Sequence, residues 1–392
     1  MAQQLTITAA QMRGINRSAI LELVRKQGPI ARTMIARQLG VSLPTVMRIV
    51  DKLIEDGFVR PQGETEWSGG RRRPLLEFNA DQNVVLGVDM GGTKLYGAIS
   101  EIGGHVIEEV EMERDGASGE ACYDLLTKLI DDLLARPGLQ GRYVRGIGVG
   151  APGITHHRDG IVKWAYALNW KDFPLKARLN ERYKLPITVD NDVNLAALGE
   201  LWFGAGQNVQ NMILITMGSG IGAGIIIDGT LYRGSKEASG EIGHMIPGRE
   251  FLGKSFIDFG ALESVASATG LVKKAHEVAT SSKLSTFEEI FHSALLGKDE
   301  WARTIIDEMV DYLTIAIANL SVSFDPELIV LGGALTPFAD VLAKSILERA
   351  NGTIPSLSRL EASDLGLRAT VMGAIVTVLH NTSNFYVVHK LS

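Results

Sequence analysis

Five residues near the middle of the chain, Asp190, Asn191, Asp192, Val193 and Asn194, set two carboxylates and two amides at the end of an apolar run, directly before a helix-like stretch. A carboxylate held there can accept a hydrogen bond from a ligand hydroxyl, or take its proton as that hydroxyl attacks a phosphate. The same string also suits an Asx turn that caps a helix. Further on, Ser239-Gly240-Glu241-Ile242-Gly243-His244 offers a second carboxylate and an imidazole three residues apart. Asp89-Met90-Gly91-Gly92-Thr93-Lys94 has the makings of a phosphate turn: bare amides and the Thr93 hydroxyl can donate, and Asp89 can hold a hydrated magnesium ion. Gly218-Ser219-Gly220 and Gly332-Gly333 repeat the glycine pattern after two other apolar runs.

A different chemistry is written near the N-terminus. Ser42, Thr45, Arg48 and Lys52 fall on the polar side of a short segment whose Val46, Ile49, Val50 and Leu53 form an apolar stripe. An arginine at such a position can make a bidentate bond to guanine, and the hydroxyls can reach bases or phosphates. Arg71, Arg72 and Arg73, beside Gly69-Gly70, add three charges suited to phosphates or a narrow minor groove.

Elements must position these groups. Helical spacing predicts helices over 11–26 and 32–39, with Gly40 and Val41 in the turn, and a third from Ser42 to the stop at Gly57. Two short strands, 58–60 and 74–78, then flank the polar loop EWSGGRRR, as in a wing. Charge follows the same division: residues 1–78 hold twelve Lys plus Arg against seven Asp plus Glu, although the whole chain is at −6. A basic module that meets a polyanion, joined to an acidic body, is the expected arrangement. In that body, strand, glycine turn, strand recurs at 84–99 and at 212–230, implying two related halves. The 392 residues exceed a single small domain. The single cysteine, Cys122, excludes an intramolecular disulfide and a cysteine-rich zinc site, and fits a reducing cytoplasm. A signal peptide and a membrane span are not expected from the apolar runs.

Taken together, GVDMGGTK, GVGAPG (148–153), DNDVN, GSGIGAG, EIGHM and IVLGGAL, in that order behind a winged helix-turn-helix, resemble the ROK family (repressor, open reading frame, kinase). The resemblance implies an α/β chain with a two-lobed, actin- and hexokinase-like sugar-kinase fold, preceded by an all-α plus β-wing winged helix-turn-helix domain. Its boundaries would be 1–78 for the DNA-binding domain and 79–195 for the smaller lobe, completed by a C-terminal helix at 371–392. The larger lobe, also the oligomerisation lobe, would span 196–370. It further implies that Asn191, Asp192, Glu241, His244 and Glu263 contact a sugar, with Asp192 the catalytic base wherever kinase activity persists. Asp89, Gly91, Gly92, Thr93, Gly218, Ser219, Gly220 and Gly333 would face a nucleotide.

Two departures stand out. Family members commonly hold zinc with the His of EIGH and three cysteines; counting back from Glu263, Lys254, Phe256 and Ala261 occupy the cysteine positions, a set that cannot ligate zinc. The loop from Pro247 to Gly260 would then rest on Phe251, Phe256 and Phe259. The sugar-contacting Asn of the family also becomes Ala167, with Asn169 near enough to substitute. The expected function is a sugar-responsive transcriptional regulator, a repressor of carbohydrate uptake or catabolism genes. It would work as a homodimer or homotetramer on operator DNA, with no required cofactor and no zinc. The rival is an ATP- and magnesium-dependent sugar kinase that also binds DNA, and the third reading is a DNA-tethered module with a dead cleft.

Overall fold

The computed structural model describes the backbone of residues 9–68, 71–256, 259–279 and 284–383, and their side chains except at 9–11, 64–68, 71–73 and 382–383. Helices α1 (Ala9–Gln27), α2 (Arg32–Leu39) and α3 (Leu43–Glu55) are followed by a hairpin of β1 (Val59–Ser68) and β2 (Arg71–Phe78). Gly40 ends α2 in the left-handed conformation at φ 63°, and the Ser42 side chain caps α3 by accepting from the Thr45 N–H. The stripe of Val46, Ile49, Val50 and Leu53 is buried against Ile20, Leu21 and Val24 of α1. The wing is longer than expected: pairing continues through most of EWSGGRRR, with Glu66 opposite Arg73 and Trp67 opposite Arg72. A polar, glycine-bearing sequence reads as loop, yet backbone pairing in a two-stranded ribbon needs no buried face. Gly69, Gly70 and the side chains of Arg71, Arg72 and Arg73 lie outside the described residues.

The body holds two five-stranded sheets with one topology. In the first half run β3 (Asn83–Met90), β4 (Lys94–Glu101), β5 (Val106–Glu113), α4 (Gly119–Leu134) and β6 (Tyr143–Ala151). A small sheet of β7 (Ile154–His156), β8 (Ile161–Ala165) and β9 (Trp170–Phe173) follows, then α5 (Leu175–Arg182) and β10 (Ile187–Asn191). The large sheet is ordered β10-β6-β3-β4-β5. After α6 (Asp192–Phe203), the second half supplies β11 (Met212–Met217), β12 (Ile221–Ile227) and β13 (Thr230–Tyr232). Next come α7 (Glu263–Ala266), α8 (Ala268–Val278), α9 (Phe287–Leu295), α10 (Glu300–Phe324), β14 (Leu328–Gly333), α11 (Ala339–Ala350) and β15 (Arg359–Ala362). Its order, β13-β12-β11-β14-β15, is the first read backwards, so the two halves suggested by the glycine turns share strand order and parallel or antiparallel sense. Only Gly218-Ser219-Gly220 forms the second turn, because the following IGAG already belongs to β12.

Helix α12 (Ala369–Ser383) ties these parts together. Val371, Ala374 and Val378 press onto Gly87, Gly148 and Gly146 of the first sheet, where a side chain would collide with them. Its Met372, Ile375 and Leu379 share one apolar cluster with Ile20, Leu21 and Val24 of α1. Helix α6 crosses it and rests on the second sheet through Leu195, Ala197 and Leu198. The expected boundary at 195/196 therefore falls inside a continuous helix, and residues 384–392 of the expected C-terminal helix lie outside the described residues. No helix among the described residues is long and apolar enough to cross a membrane.

Candidate functional site

The cleft between the sheets is a cavity of about 410 Å³, joined through Asp89, Asp192 and Thr216 to a smaller one of about 120 Å³ beside Gly332 and Gly333. Strand β10 delivers the DNDVN string, and its members divide the work. Asp190 is buried and held by Arg233 through two bonds of 2.7 and 2.6 Å. Asn191 caps α6 by accepting from the Asn194 N–H at 2.9 Å, while its amide donates to the Gly153 carbonyl at 3.0 Å. Asp192, first residue of α6, turns into the cleft and accepts from the Val193 N–H at 2.8 Å. Asx capping and a ligand-facing carboxylate thus coexist in one string, on different residues.

Asp89 comes from the end of β3 and lines both cavities with Asp192. Burial, with the charge of Asp192 added, pushes its carboxyl up to about 8. Burial also raises Asp192 to about 6, against the helix N–H groups that favour its ionised form. Glu241 is lifted to about 7 by burial and by the carboxylates of Asp192 and Glu263. Glu263 accepts from the Ile221 and Gly260 N–H groups, both at 2.9 Å, joining the second glycine turn to the loop after His244. His244 is exposed at the cavity edge, closing a short helical turn from Ile242. The cleft therefore presents four carboxyl groups and an imidazole, a set that exchanges hydrogen bonds with a polyhydroxylated ligand.

Three expected contacts fall elsewhere. Asn169 is exposed at φ 52° after a short helical turn and does not line the cavity, whereas Ala167 does. Thr93 is exposed and outside the lining, and Lys94 beside it pairs with Glu111 at 2.6 Å. Gly92 and Ser219 pack so closely that a Cβ at Gly92 would overlap the Ser219 hydroxyl. The two glycine turns therefore meet at this point, on the edge of the cavity that both line. Phe251 packs on Phe256 at 5.7 Å and on Tyr312 at 5.6 Å, but Phe259 faces the cleft instead of the loop core. Around His244 the Lys254, Phe256 and Ala261 positions supply no zinc donor, and the described residues contain no group of three or more His, Cys, Asp or Glu able to hold a metal.

Sequence reading missed several groups. Arg114 donates to the carbonyls of Gly92 and Ala167, fixing the first glycine turn to the opposite wall. Arg233 clasps Asp190, and the His157 N–H donates to Glu237 at 2.7 Å, so the segment before Glu241 is anchored to the other half of the body. Lone arginines in a charged surface carry no spacing signal, and none marked these two.

At the other end, Ser42 and Arg48 are exposed and Thr45 half-buried, with the Ser42 and Thr45 hydroxyls 2.8 Å apart. Arg48 lines a concavity of about 880 Å³ that also receives Arg13 and Arg17 from α1. Lys52, expected to meet DNA, lies 3.1 Å from both Glu55 and Asp56, so it reaches a phosphate only by leaving two carboxylates. The module is fastened to the body by Arg145, which donates to the Asp56 carbonyl at 2.6 Å and stacks 4.2 Å over Phe58.

Comparison with known proteins follows this division. Residues 85–381 match the ROK family, and residues 15–60 match the winged helix-turn-helix DNA-binding family. The chain is 31% identical to the xylose repressor of Caldicellulosiruptor bescii, covering 95% of this chain and 98% of that one. It is 39% identical to the glucokinase of Halalkalibacterium halodurans over 67% of this chain and 83% of the kinase. Among solved structures, a ROK family transcriptional regulator homologous to MLC of E. coli superposes with a TM-score of 0.82 at 27% identity, over 95% of this chain and 98% of that one.

Proposed function

The chain belongs to the ROK family, and from that premise we propose that it represses carbohydrate genes by releasing or gripping operator DNA according to the sugar in its cleft. It is a sugar-responsive DNA-binding repressor with the α/β sugar-kinase fold behind a winged helix-turn-helix. The observation that carries the proposed switch is the shared apolar cluster of α1 and α12. Asp192 stands at the start of α6, α6 crosses α12, and α12 is packed into the DNA-binding module. A sugar that favours one disposition of α6 thereby favours one disposition of α1, which is what linkage between two sites requires. In a two-fold assembly, a dimer or tetramer in the cytoplasm, this alters the spacing of paired recognition helices. Relatives matched end to end are xylose repressors, so xylose is the first effector to test.

In the cleft, Asp192 and Glu241 accept from sugar hydroxyls, His244 closes the edge, and Asn191 and Glu263 shape the floor. Arg48, with Ser42 and Thr45, reads bases, and Arg71, Arg72 and Arg73 hold the backbone. The family includes sugar kinases, and the poised Asp192 favours a second reading in which this chain phosphorylates its sugar. Gly91, Gly218, Gly220 and Gly333 would then hold ATP with magnesium at Asp89. Neither nucleotide nor metal is required for the proposed switch.

A melting-temperature screen of sugars with and without ATP, followed by ADP release with the stabilising sugar, separates the readings. The regulator predicts stabilisation by sugar alone and no turnover. Turnover lost by 100-fold or more in Asp192→Asn would establish the kinase, since loss of a general base costs about 10²-fold to 10⁴-fold.

A further inference from the structure

Two large aromatic side chains stand open to solvent on one wall of the cleft. Trp164, on β8, is 40% exposed, and Tyr166, just after it, is 63% exposed; both line the 410 Å³ cavity. Ala167, next along the chain, lines the same cavity with only a methyl group. The Ala167 carbonyl is held by Arg114, which also holds Gly92, so the segment that carries the aromatic pair is anchored. Exposed aromatic faces beside a polar floor suit a ligand with apolar C–H faces and a hydroxylated rim. A pyranose ring has that character. A ring hydrogen-bonded to Asp192 and Glu241 would leave the aromatic pair for a second ring in the same cavity. Among the described residues no Lys or Arg lines this cavity to neutralise an anionic group brought out of water, and the Asp192 carboxylate on its floor repels one.

Resting on the reading of the cleft as a sugar site, we propose that its ligand is an uncharged disaccharide or longer glycoside, with the second ring stacked on Trp164 and Tyr166. A single ring would use the floor alone. Sugar phosphates and uronates are excluded, because the described lining offers an anion no Lys or Arg.

The test is calorimetry on the full chain with xylose and xylobiose, glucose and cellobiose, glucose 6-phosphate and glucuronate, with tryptophan fluorescence followed alongside. One disaccharide should bind at least tenfold more tightly than its own monosaccharide and change the emission, and the two anions should not bind. Trp164→Ala should bring the disaccharide within twofold of the monosaccharide without altering monosaccharide affinity. Trp164→Phe should restore most of the difference, and Tyr166→Ala provides the same comparison at the more exposed residue should Trp164→Ala not fold. Equal affinity for one and two rings, equal weakening of both by the substitutions, or binding of glucose 6-phosphate would each overturn the proposal. Release of operator DNA by a monosaccharide that binds as tightly as its disaccharide would overturn it and leave the repressor standing. No binding by any of the six would overturn both.

Discussion

The backbone of Gly373 on α12 lies against the carbonyl oxygen of Leu195 on α6, so close that a Cβ would overlap it. Gly199 of α6 makes the reciprocal approach to the carbonyl of Ala369. The helix that begins with Asp192 and the helix packed into the DNA-binding module therefore cross backbone to backbone. Such a crossing transmits small displacements because close-packed interiors do not absorb them.

Gly373→Ala should force the helices apart, costing about 1–3 kcal/mol of stability by overpacking. Its direct consequence is a weakened influence of sugar on DNA affinity, read as the ratio of dissociation constants with and without sugar. Trp202→Leu is the milder companion. Trp202 lies near the end of α6, with the Arg25 guanidinium 5.4 Å over its ring, so the substitution loosens the same junction away from the cleft. An unchanged ratio in both folded variants would contradict transmission through this crossing.

On the DNA side, Arg48→Ala should cost about 1–3 kcal/mol and relax preference at one base position. Replacing one arginine of the 71–73 cluster should weaken all sequences alike and reduce the salt slope by about one unit. Lys52→Ala should change little, since its ammonium is already engaged by Glu55 and Asp56. Binding titrations of the variants at several salt concentrations distinguish the three roles.

The cleft carboxyls give a pH signature. Asp89, Glu241 and Asp192 titrate near 8, 7 and 6 in the folded chain, above their ordinary values, so the folded state holds more protons than the unfolded one between about pH 4 and 8. Their contribution to stability is fully present at the acid end of that window and is lost as pH rises through it. Asp89→Asn should raise the melting temperature at pH 8 and flatten its decline from pH 5. A steeper decline in the variant would show that Asp89 is ionised in the ligand-free cleft.

Elemental analysis after dialysis should find no stoichiometric zinc, and a chelator should leave the melting temperature unchanged. Without zinc the loop would rest on the contacts among Phe251, Phe256 and Tyr312. About one zinc per chain would show that donors other than those at the family positions are at work.

Much of this was legible in local sequence signals. The Ser42 cap, the Gly40 stop and the apolar stripe from Val46 to Leu53 are short-range features, and the helices they specify form where spacing places them. The glycine turns pointed to two halves because each lies between strands with the same hydrophobic pattern. Contacts made across the chain were not legible. Asn169 was expected in the cleft from its nearness in sequence to Ala167, but its left-handed backbone sets it apart. Arg114, Arg233, Trp164 and the α1 and α12 cluster act across tens to hundreds of residues, and no periodicity records such distances. The extended wing was hidden by its polar composition, which describes side chains while the pairing is made by backbone.

The central claim is that sugar in the cleft sets the grip on DNA. Its most direct measurement titrates the full chain onto a duplex selected from random sequence, at fixed salt, with and without the sugar that most raises the melting temperature. The account predicts a change of at least tenfold in dissociation constant, about 1.4 kcal/mol, that disappears in Asp192→Asn at the same sugar concentration. An equal dissociation constant with and without a sugar shown to occupy the cleft would contradict it.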